Sequence, residues 1–269
     1  MQTAELEQGG GDWALQAYEA YAPAYDVFTA HHDSDGWLAD IVAELRRHGL
    51  SGTRLLDVGC GTGKSFMYVL KQGWEVTACD ISPAMLARAR EKAGGGAHLH
   101  VADMRELPRF GEFDAVWCLD DAVNYLLGEE ELSMALAGMR ENLAPSGLLA
   151  FDVNALHEYR TFYAETTVIE QGGYRMTWRG QATADVEASS ICESILEVTP
   201  LDRQADGEAA RTHRHRQRHF PEAEVLAALE SAGLECLAVY GHGYDGIFKQ
   251  PLDESVHTKA IYIARAVTA

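Results

Sequence analysis

The fold of this chain is decided by residues 55–63, which read LLDVGCGTG. The apolar letters at the start are typical of a short buried strand, and helical spacing resumes from Ser65 onward. Between them, Gly59, Gly61 and Gly63 allow positive φ angles and let the backbone approach a ligand closely. The N-terminus of the following helix favours an anionic group. A strand, a glycine-rich turn and a helix in this order predict a ligand-binding loop at the edge of an α/β sheet.

The spacing of these glycines indicates which kind of ligand the loop accepts. A dinucleotide-binding loop reads Gly-x-Gly-x-x-Gly, and its third glycine would fall at position 64, where this chain has Lys64. The observed Gly-x-Gly-x-Gly spacing suits a ligand that carries a carboxylate and no pyrophosphate. A structural tight turn without any ligand is the alternative interpretation.

Strands and helices alternate around this loop, which predicts βαβ units and a parallel sheet. The predicted strands are residues 54–58, 75–79, 99–103, 113–119 and 147–153. The predicted helices between them are residues 65–72, 83–92 and 129–143.

The pattern changes after Asn154, where β-branched and aromatic residues recur between turn signals. Four segments predict an antiparallel meander, residues 166–171, 174–183, 189–198 and 212–220. A helix over 221–232, with Pro221 at its first position, and strands over 234–240 and 258–266 then return to the main sheet.

Acidic residues stand at the ends of the predicted strands. Asp80 ends the second strand, where a carboxylate can accept hydrogen bonds from both hydroxyls of a ribose. Asp103 and Met104 end the third strand, where the carboxylate can accept an adenine amino group and the thioether can pack on the ring. Ligands of open α/β sheets bind at the carboxyl ends of the strands, so these side chains are predicted to share one site with the glycine loop.

These residues, together with LAPSGLL at 143–149, closely resemble class I S-adenosylmethionine-dependent methyltransferases. The resemblance implies S-adenosylmethionine as the cofactor and an α/β fold with a Rossmann-like seven-stranded sheet, an antiparallel β insertion after strand five and an N-terminal helical lid. It divides the chain into a lid (1–50), a cofactor-binding core (51–154), an insertion that covers the acceptor site (155–220) and a C-terminal helix with two strands (221–269). The implied cofactor contacts are Tyr25, Asp57, Gly59, Gly61, Gly63, Asp80, Ile81, Asp103, Met104 and Leu119.

Within this class the chain resembles bacterial enzymes that methylate small metabolites, including amino-sugar and lincosamide N-methyltransferases. The Asn/Asp-Pro-Pro-aromatic motif of enzymes that methylate nucleobases or glutamine is replaced here by CLDD at 118–121, which disfavours those substrates. In the amino-sugar enzymes a histidine lies shortly after strand four, and Tyr125 stands at the matching place. The role of general base is therefore not simply inherited, and the candidates are Tyr125, His157 and His213.

The acceptor pocket is predicted between the carboxyl ends of the parallel strands and the insertion. The predicted acceptor contacts are Tyr21, Asp120, Asn124, Asn154, His215, Tyr240 and His242. The aromatic residues Tyr18, Tyr21, Tyr25 and Phe28 form either a core stripe under a helix or a lid whose Tyr25 reaches the aminoacyl end of the cofactor.

Two groups of residues raise the question of a metal. His213, His215, Gln217 and His219 share one face of a predicted strand, and we expect a ladder of half-solvated polar side chains there rather than a metal site. Asp120, Asp152 and Asn154 resemble the ligand set of metal-dependent catechol methyltransferases, in which the last two ligands are adjacent; here Val153 separates them. The sequence therefore predicts an enzyme that needs no metal.

Composition limits the partners. The formal net charge of −19 opposes binding to a phosphate backbone, so nucleic acid is not an expected partner. Five widely spaced cysteines predict free thiols in a reducing compartment, and no segment has the pattern of a signal peptide or membrane span, so we expect a cytoplasmic protein without a membrane partner. We expect N- or O-methylation of a small molecule, such as a glycoside or secondary metabolite. The alternatives are a methyltransferase for RNA or protein and a non-catalytic cofactor-binding module; a homo-oligomer stays open.

Overall fold

The computed structural model describes residues 13–19, 22–30, 34–201 and 211–267. The helices are α1 (Trp13–Glu19), α2 (Ala22–Phe28), α3 (Ser34–Arg47), α4 (Lys64–Leu70), α5 (Pro83–Ala93), α6 (Glu129–Glu141), α7 (Leu156–Arg160) and α8 (Glu222–Ser231). The strands are β1 (Arg54–Val58), β2 (Glu75–Asp80), β3 (Ala97–Val101), β4 (Phe113–Cys118), β5 (Leu143–Asn154), β6 (Thr166–Gln171), β7 (Tyr174–Gly180), β8 (Ile191–Pro200), β9 (Arg211–Arg218), β10 (Leu234–His242), β11 (Phe248–Lys249) and β12 (Lys259–Ala266). Each helix in these ranges is too short or too polar to cross a membrane.

The main sheet has the strand order β11-β10-β12-β5-β4-β1-β2-β3. Strands β1 to β5 run parallel. At one side of them, β12 pairs antiparallel with β5, β10 with β12, and β11 with β10. Side chains of α3, α4 and α5 cover one face, and those of α6 and α8 cover the other. Because both faces are covered, β1 and β4 are almost continuously apolar and buried. The strand order reverses between β1 and β4, which leaves a crevice at their carboxyl ends.

The second sheet is antiparallel, with the order β6-β7-β8-β9. Its inner face packs Met176, Trp178 and Leu196 against Ala24 of α2 and Tyr159 of α7. The predicted α/β fold, with a meander inserted after strand five and helices at the N-terminal side, is therefore confirmed.

One face of β9 differs from the prediction. His213, His215, Gln217 and the following His219 do share a face, but each is buried rather than half-solvated. The reason is that other elements pack on this face: Tyr18 of α1 contacts His215, Tyr159 of α7 contacts Gln217 and His219, and Glu254 contacts His219.

Three smaller details also differ from the prediction. The sheet has an eighth strand, β11, whose two residues are too few to produce a periodic signal. Strand β5 begins at Leu143, which pairs with Phe113 ahead of an irregularity in the β4–β5 register. Pro221 is the N-cap of α8 and not its first residue.

Candidate active site

A cleft lies at the carboxyl ends of β1 to β4 and encloses about 940 Å³, part of it open to solvent. What we call the glycine end is lined by Gly59, Gly61, Asp80, Ile81, Asp103 and Met104. What we call the tyrosine end is lined by Tyr18, Tyr25, Asp120 and Tyr125. The cleft lies at the topological switch point of the sheet, where open α/β sheets bind small-molecule ligands.

The glycine loop forms the floor of the glycine end. Gly59, Gly61 and Gly63 have φ angles of 72°, 53° and 86°, which residues other than glycine rarely adopt. A Cβ at Gly59 would lie 3.1 Å from the Cβ of Ala122, and one at Gly63 would lie 2.6 Å from the ring of Phe66. Gly63 does not line the cleft; it is the N-cap of α4. The loop thus requires glycine for both its conformation and its packing.

Two aspartates hold this loop. Asp80 accepts hydrogen bonds from the backbone N–H groups of Gly61 and Ser82, both at 2.8 Å. Burial raises the pKa of Asp80, and these N–H donors oppose the increase. Asp57 lies beneath the loop, outside the cleft lining, and accepts a hydrogen bond from the Ser65 hydroxyl. Burial raises the pKa of Asp57 to about 7, against the effect of that hydrogen bond. Asp57 therefore supports the loop from below.

The end of β3 supplies a second polar group. Both carboxylate oxygens of Asp103 accept hydrogen bonds from Arg105 Nε at 3.0 Å, and Arg105 also pairs with Glu131 at 3.3 Å. Burial raises the pKa of Asp103. Beside it, Ile81 and Met104 give the wall an apolar surface. Carboxylates at the ends of β2 and β3 with apolar side chains between them fit the ribose and adenine of S-adenosylmethionine.

Hydroxyl groups form a chain at the tyrosine end. Tyr18 Oη donates to Tyr125 Oη at 2.8 Å, and Tyr125 Oη lies 2.8 Å from His215 Nδ1. Burial, with the nearby His213, lowers the pKa of His215 to about 3, so its imidazole is neutral. Tyr25 Oη donates to Asp120 Oδ2 at 3.4 Å.

Asp120 belongs to an irregular loop after β4. Asp120 and Asp121 have φ angles of 65° and 55°, and Asp152 accepts both of their backbone N–H groups at 2.6 and 3.0 Å. Lys259 Nζ lies 2.7 Å from Asp152, 3.1 Å from Asp121 and 3.7 Å from Asp120. The ammonium group thus occupies the position that the catechol-type alternative gives to a metal. Among the described residues, no group of three or more His, Cys, Asp or Glu side chains is arranged to hold an ion.

The N-terminal helices contact the loops after β1 and β2. Asp26 of α2 accepts hydrogen bonds from Thr62 Oγ1 and Lys92 Nζ, both at 2.6 Å. Glu19 of α1 accepts the Ser82 hydroxyl at 2.7 Å. Lys64 Nζ donates to the backbone oxygen of residue 29 at 2.7 Å. These contacts place α1 and α2 over the loops after β1 and β2, while the lid function stays a prediction.

Other predicted site residues lie outside the cleft lining. Asn124 donates to the backbone oxygen of Arg218 at 2.8 Å, and its own Oδ1 accepts the N–H of Asn154. Asn154 Nδ2 donates to Gln217 at 3.0 Å. These amides join the main sheet to the insertion.

The remaining candidates are more distant. Tyr240 Oη donates to Glu44 at 2.9 Å, on the α3 side of the sheet, and the His242 ring lies 6.5 Å from that of Trp37. His157 is on α7 and His213 is buried on β9, and neither lines the cleft. Tyr21 lies outside the described residues.

Sequence reasoning missed three residues of this site. Tyr18 belongs to the aromatic pattern that predicts the lid, so that pattern could have included it among the contacts. Arg105 lies two residues after Asp103, and an opposite charge at this spacing was an available signal. Lys259 had no local signal, because antiparallel pairing of β5 with β12 brings it to Asp152.

Comparisons with known proteins agree with this geometry. A family model described as a methyltransferase domain matches residues 55–147. The putative methyltransferase YqeM of Bacillus subtilis (strain 168) is 31% identical over 224 residues, which make up 81% of this chain and 86% of that protein. The dTDP-3-amino-3,4,6-trideoxy-alpha-D-glucopyranose N,N-dimethyltransferase of Streptomyces venezuelae is 32% identical over 219 residues, 80% of this chain and 90% of that protein. The crystal structure of Streptomyces venezuelae DesVI matches with a TM-score of 0.71 at 25% identity, covering 92% of this chain and 98% of that one.

The relatives confirm the predicted family, cofactor and class of acceptor. Their similarity extends over most of the chain, well beyond the glycine loop that suggested the resemblance. The chain belongs to the S-adenosylmethionine-dependent methyltransferases that act on small molecules.

Proposed function

We propose that this enzyme binds its cofactor at the glycine end of the cleft and methylates an amino group held at the tyrosine end. The observation that carries the proposal is the lining of the tyrosine end, which consists of one carboxylate, Asp120, and three phenols, Tyr18, Tyr25 and Tyr125. Burial raises the pKa of Tyr125, so its phenol stays protonated, and its hydroxyl is hydrogen-bonded to His215. No histidine lines the cleft among the described residues. A hydroxyl acceptor needs a base, whereas a neutral amine brings its own lone pair.

The charged group at the tyrosine end supports an amine. The Asp120 side chain is 44% exposed, and its carboxylate faces the cleft beside Tyr25. A carboxylate attracts a protonated amine as it enters from solvent. The amine releases its proton to solvent before it reacts, and the phenol oxygens can accept hydrogen bonds from the N–H groups of the neutral amine. When bound, S-adenosylmethionine supplies a methyl group on an activated sulfonium. The protein then orients the amine and excludes water, which is the larger part of catalysis in such a displacement.

The acceptor we propose is an amino sugar or a similar glycoside. The named substrate of the Streptomyces venezuelae relative is a nucleotide-linked amino sugar. In our proposal residues 51–154 and 221–269 form the cofactor-binding core, residues 155–220 cover the acceptor and residues 1–50 close over the cofactor. His157 and His213 have no role in proton transfer in this arrangement. The buried, unpaired cysteines Cys60, Cys79, Cys118 and Cys192 support a cytoplasmic location.

The test compares acceptors that differ only at the reacting atom. Purified enzyme is given S-adenosylmethionine with a 3-amino-3,6-dideoxy sugar, free or nucleotide-linked, or with the matching 3-hydroxy sugar. We expect S-adenosylhomocysteine release and a mass increase of the acceptor only with the amine. Asp80→Ala enzyme is the control that assigns turnover to this cleft. Methylation of the hydroxy sugars in preference to the amines would overturn the proposal.

A further inference from the structure

The loop after β4 has an unusual backbone. Asp120 and Asp121 are consecutive residues with left-handed φ angles of 65° and 55°. Such a conformation is strained for residues other than glycine and persists only where the surrounding structure fixes it. Leu119, Asp120 and Tyr125 of this loop all line the cleft. The conformation of the loop therefore sets one wall of the site.

One buried carboxylate fixes this backbone. The Asp152 side chain is fully buried and uses one oxygen for the N–H of Asp120 and the other for the N–H of Asp121, at 2.6 and 3.0 Å. The hydrogen bonds from these two backbone N–H groups to the Asp152 carboxylate are charge-assisted, and such bonds are stronger than neutral ones. Gln217 Nε2 from β9 also donates to the Asp121 carboxylate.

One largely buried cation, the Lys259 ammonium, pairs with these carboxylates; the Lys259 side chain is 19% exposed. Lys259 is opposite Asn154 in the β5–β12 ladder, and Ile261 is opposite Asp152, so Lys259 and Asp152 are diagonal neighbours on one face. The Lys259 ammonium bridges Asp152 and Asp121 at 2.7 and 3.1 Å. Burial alone would lower the pKa of Lys259, but the carboxylates of Asp121, Asp152 and Asp120 hold it well above its ordinary value.

We propose that Asp152 and Lys259 are positioning residues for methyl transfer: they hold the loop after β4 so that Asp120 presents its carboxylate to the acceptor. Neither residue lines the cleft; each acts through the loop. A purely stabilising role fits less well, because apolar side chains often stabilise a protein interior better than a buried ion pair. The converging N–H donors and the left-handed backbone give this pair a geometric task that apolar residues could not perform.

The variants separate charge from length. Lys259→Met removes the ammonium and keeps the stem, Lys259→Arg keeps the charge, and Asp152→Asn leaves only one oxygen for two N–H donors. Lys249→Met is the matched control, since Lys249 pairs with Asp245 at an exposed position. If Lys259→Met fails to fold, the double variant Asp152→Asn/Lys259→Met is used in its place, because it removes one charge of each sign.

Three measurements are made on the full chain: the affinity for S-adenosylmethionine by calorimetry, amide hydrogen exchange at Asp120 and Asp121, and kcat and KM for the amine acceptor. We expect Lys259→Met and Asp152→Asn to speed hydrogen exchange at both amides. We expect both variants to lower kcat/KM roughly ten- to a hundredfold, which is the loss that a small displacement of an active-site group causes. Cofactor affinity should stay unchanged, Lys259→Arg should recover most of the activity, and Lys249→Met should match the wild type.

Two outcomes would overturn the inference. Unchanged exchange with unchanged kcat/KM would show that the loop holds its conformation without the pair. A loss of cofactor affinity in parallel with kcat/KM would assign the pair a general structural role. The acceptor kinetics rest on the proposed function, but hydrogen exchange does not. If wild-type enzyme rejects amines, the proposed function fails while the exchange measurement still decides this inference.

Discussion

The two ends of the cleft are built from the chain in different ways. The glycine end comes from the loops after β1, β2 and β3, which follow each other within residues 57–104. The tyrosine end combines α1, α2 and the loop after β4, and it is supported from behind by β9 and β12. The glycine end therefore depends on short-range motifs, whereas the tyrosine end depends on how distant elements pack. Variants at the two ends should differ in what they change.

The largest effect should come from Asp80→Ala at the glycine end. The change removes the acceptor for the Gly61 and Ser82 N–H groups and for the predicted ribose hydroxyls. We expect S-adenosylmethionine binding to weaken by roughly 1–3 kcal/mol, because buried donors lose their partner. Calorimetry measures the change directly.

The matched control for that variant is Asp114→Ala. Asp114 accepts the backbone N–H of Arg54 at 2.9 Å, at the start of β1 and away from the cleft. Its removal should leave cofactor affinity unchanged. Equal affinity of the Asp80→Ala and wild-type proteins for S-adenosylmethionine would mean that Asp80 does not contribute to cofactor binding. The proposed difference between the two ends of the cleft would then be wrong.

The contrast also explains what could be predicted from the sequence. The parallel sheet, the meander and the residues at the ends of β1, β2 and β3 follow from local spacing, because each loop lies next to the strand that positions it. Lys259 could not be found this way, since its partner Asp152 lies on another strand and no motif links them. Tyr240 shows the opposite problem. It follows a predicted strand, but its side chain points to Glu44, and alternation alone does not say which face meets the cleft.

A second prediction concerns stability at the tyrosine end. Burial and the neighbouring His213 lower the pKa of His215 from 6.5 to about 3. Below pH 6.5 the His215 imidazole therefore binds a proton in the unfolded chain but not in the folded chain. For this reason His215 makes the folded protein less stable as the pH falls. Compared with His215→Gln, the wild type should lose about 1.4 kcal/mol of stability per pH unit within that window.

Urea unfolding of both proteins between about pH 6 and pH 4 measures the difference in slope. Other buried groups contribute equally to both proteins and cancel. His98→Gln is the control, because His98 is exposed on β3. Parallel stability curves for wild type and His215→Gln would mean that His215 is protonated in the folded protein.

A third prediction concerns turnover at the tyrosine end. Tyr125→Phe removes the hydroxyl between Tyr18 and His215. We expect kcat to fall by about fivefold, because the neutral hydrogen bond that the Tyr125 oxygen would accept from the amine contributes about 1 kcal/mol, with cofactor affinity unchanged. Steady-state kinetics and calorimetry check the two quantities. His157→Ala should behave as the wild type, and a large loss of kcat in that variant would restore His157 as the general base.

The smallest effect should come from Asp26→Ala, which tests how the N-terminal helices join the two ends. Asp26 connects α2 to Thr62 and Lys92, but its side chain is 38% exposed, so the ion pair is partly screened by solvent. We expect cofactor release to speed up by about two- to fivefold, the range of an exposed ion pair, because α2 covers the glycine loop less tightly. Rapid-mixing displacement of bound S-adenosylmethionine measures the rate. Asp245→Ala breaks the comparable surface pair with Lys249 far from α2 and should leave release unchanged. If both variants release cofactor at the wild-type rate, α2 packs on the loops without controlling access, and the two ends of the cleft exchange their ligands independently.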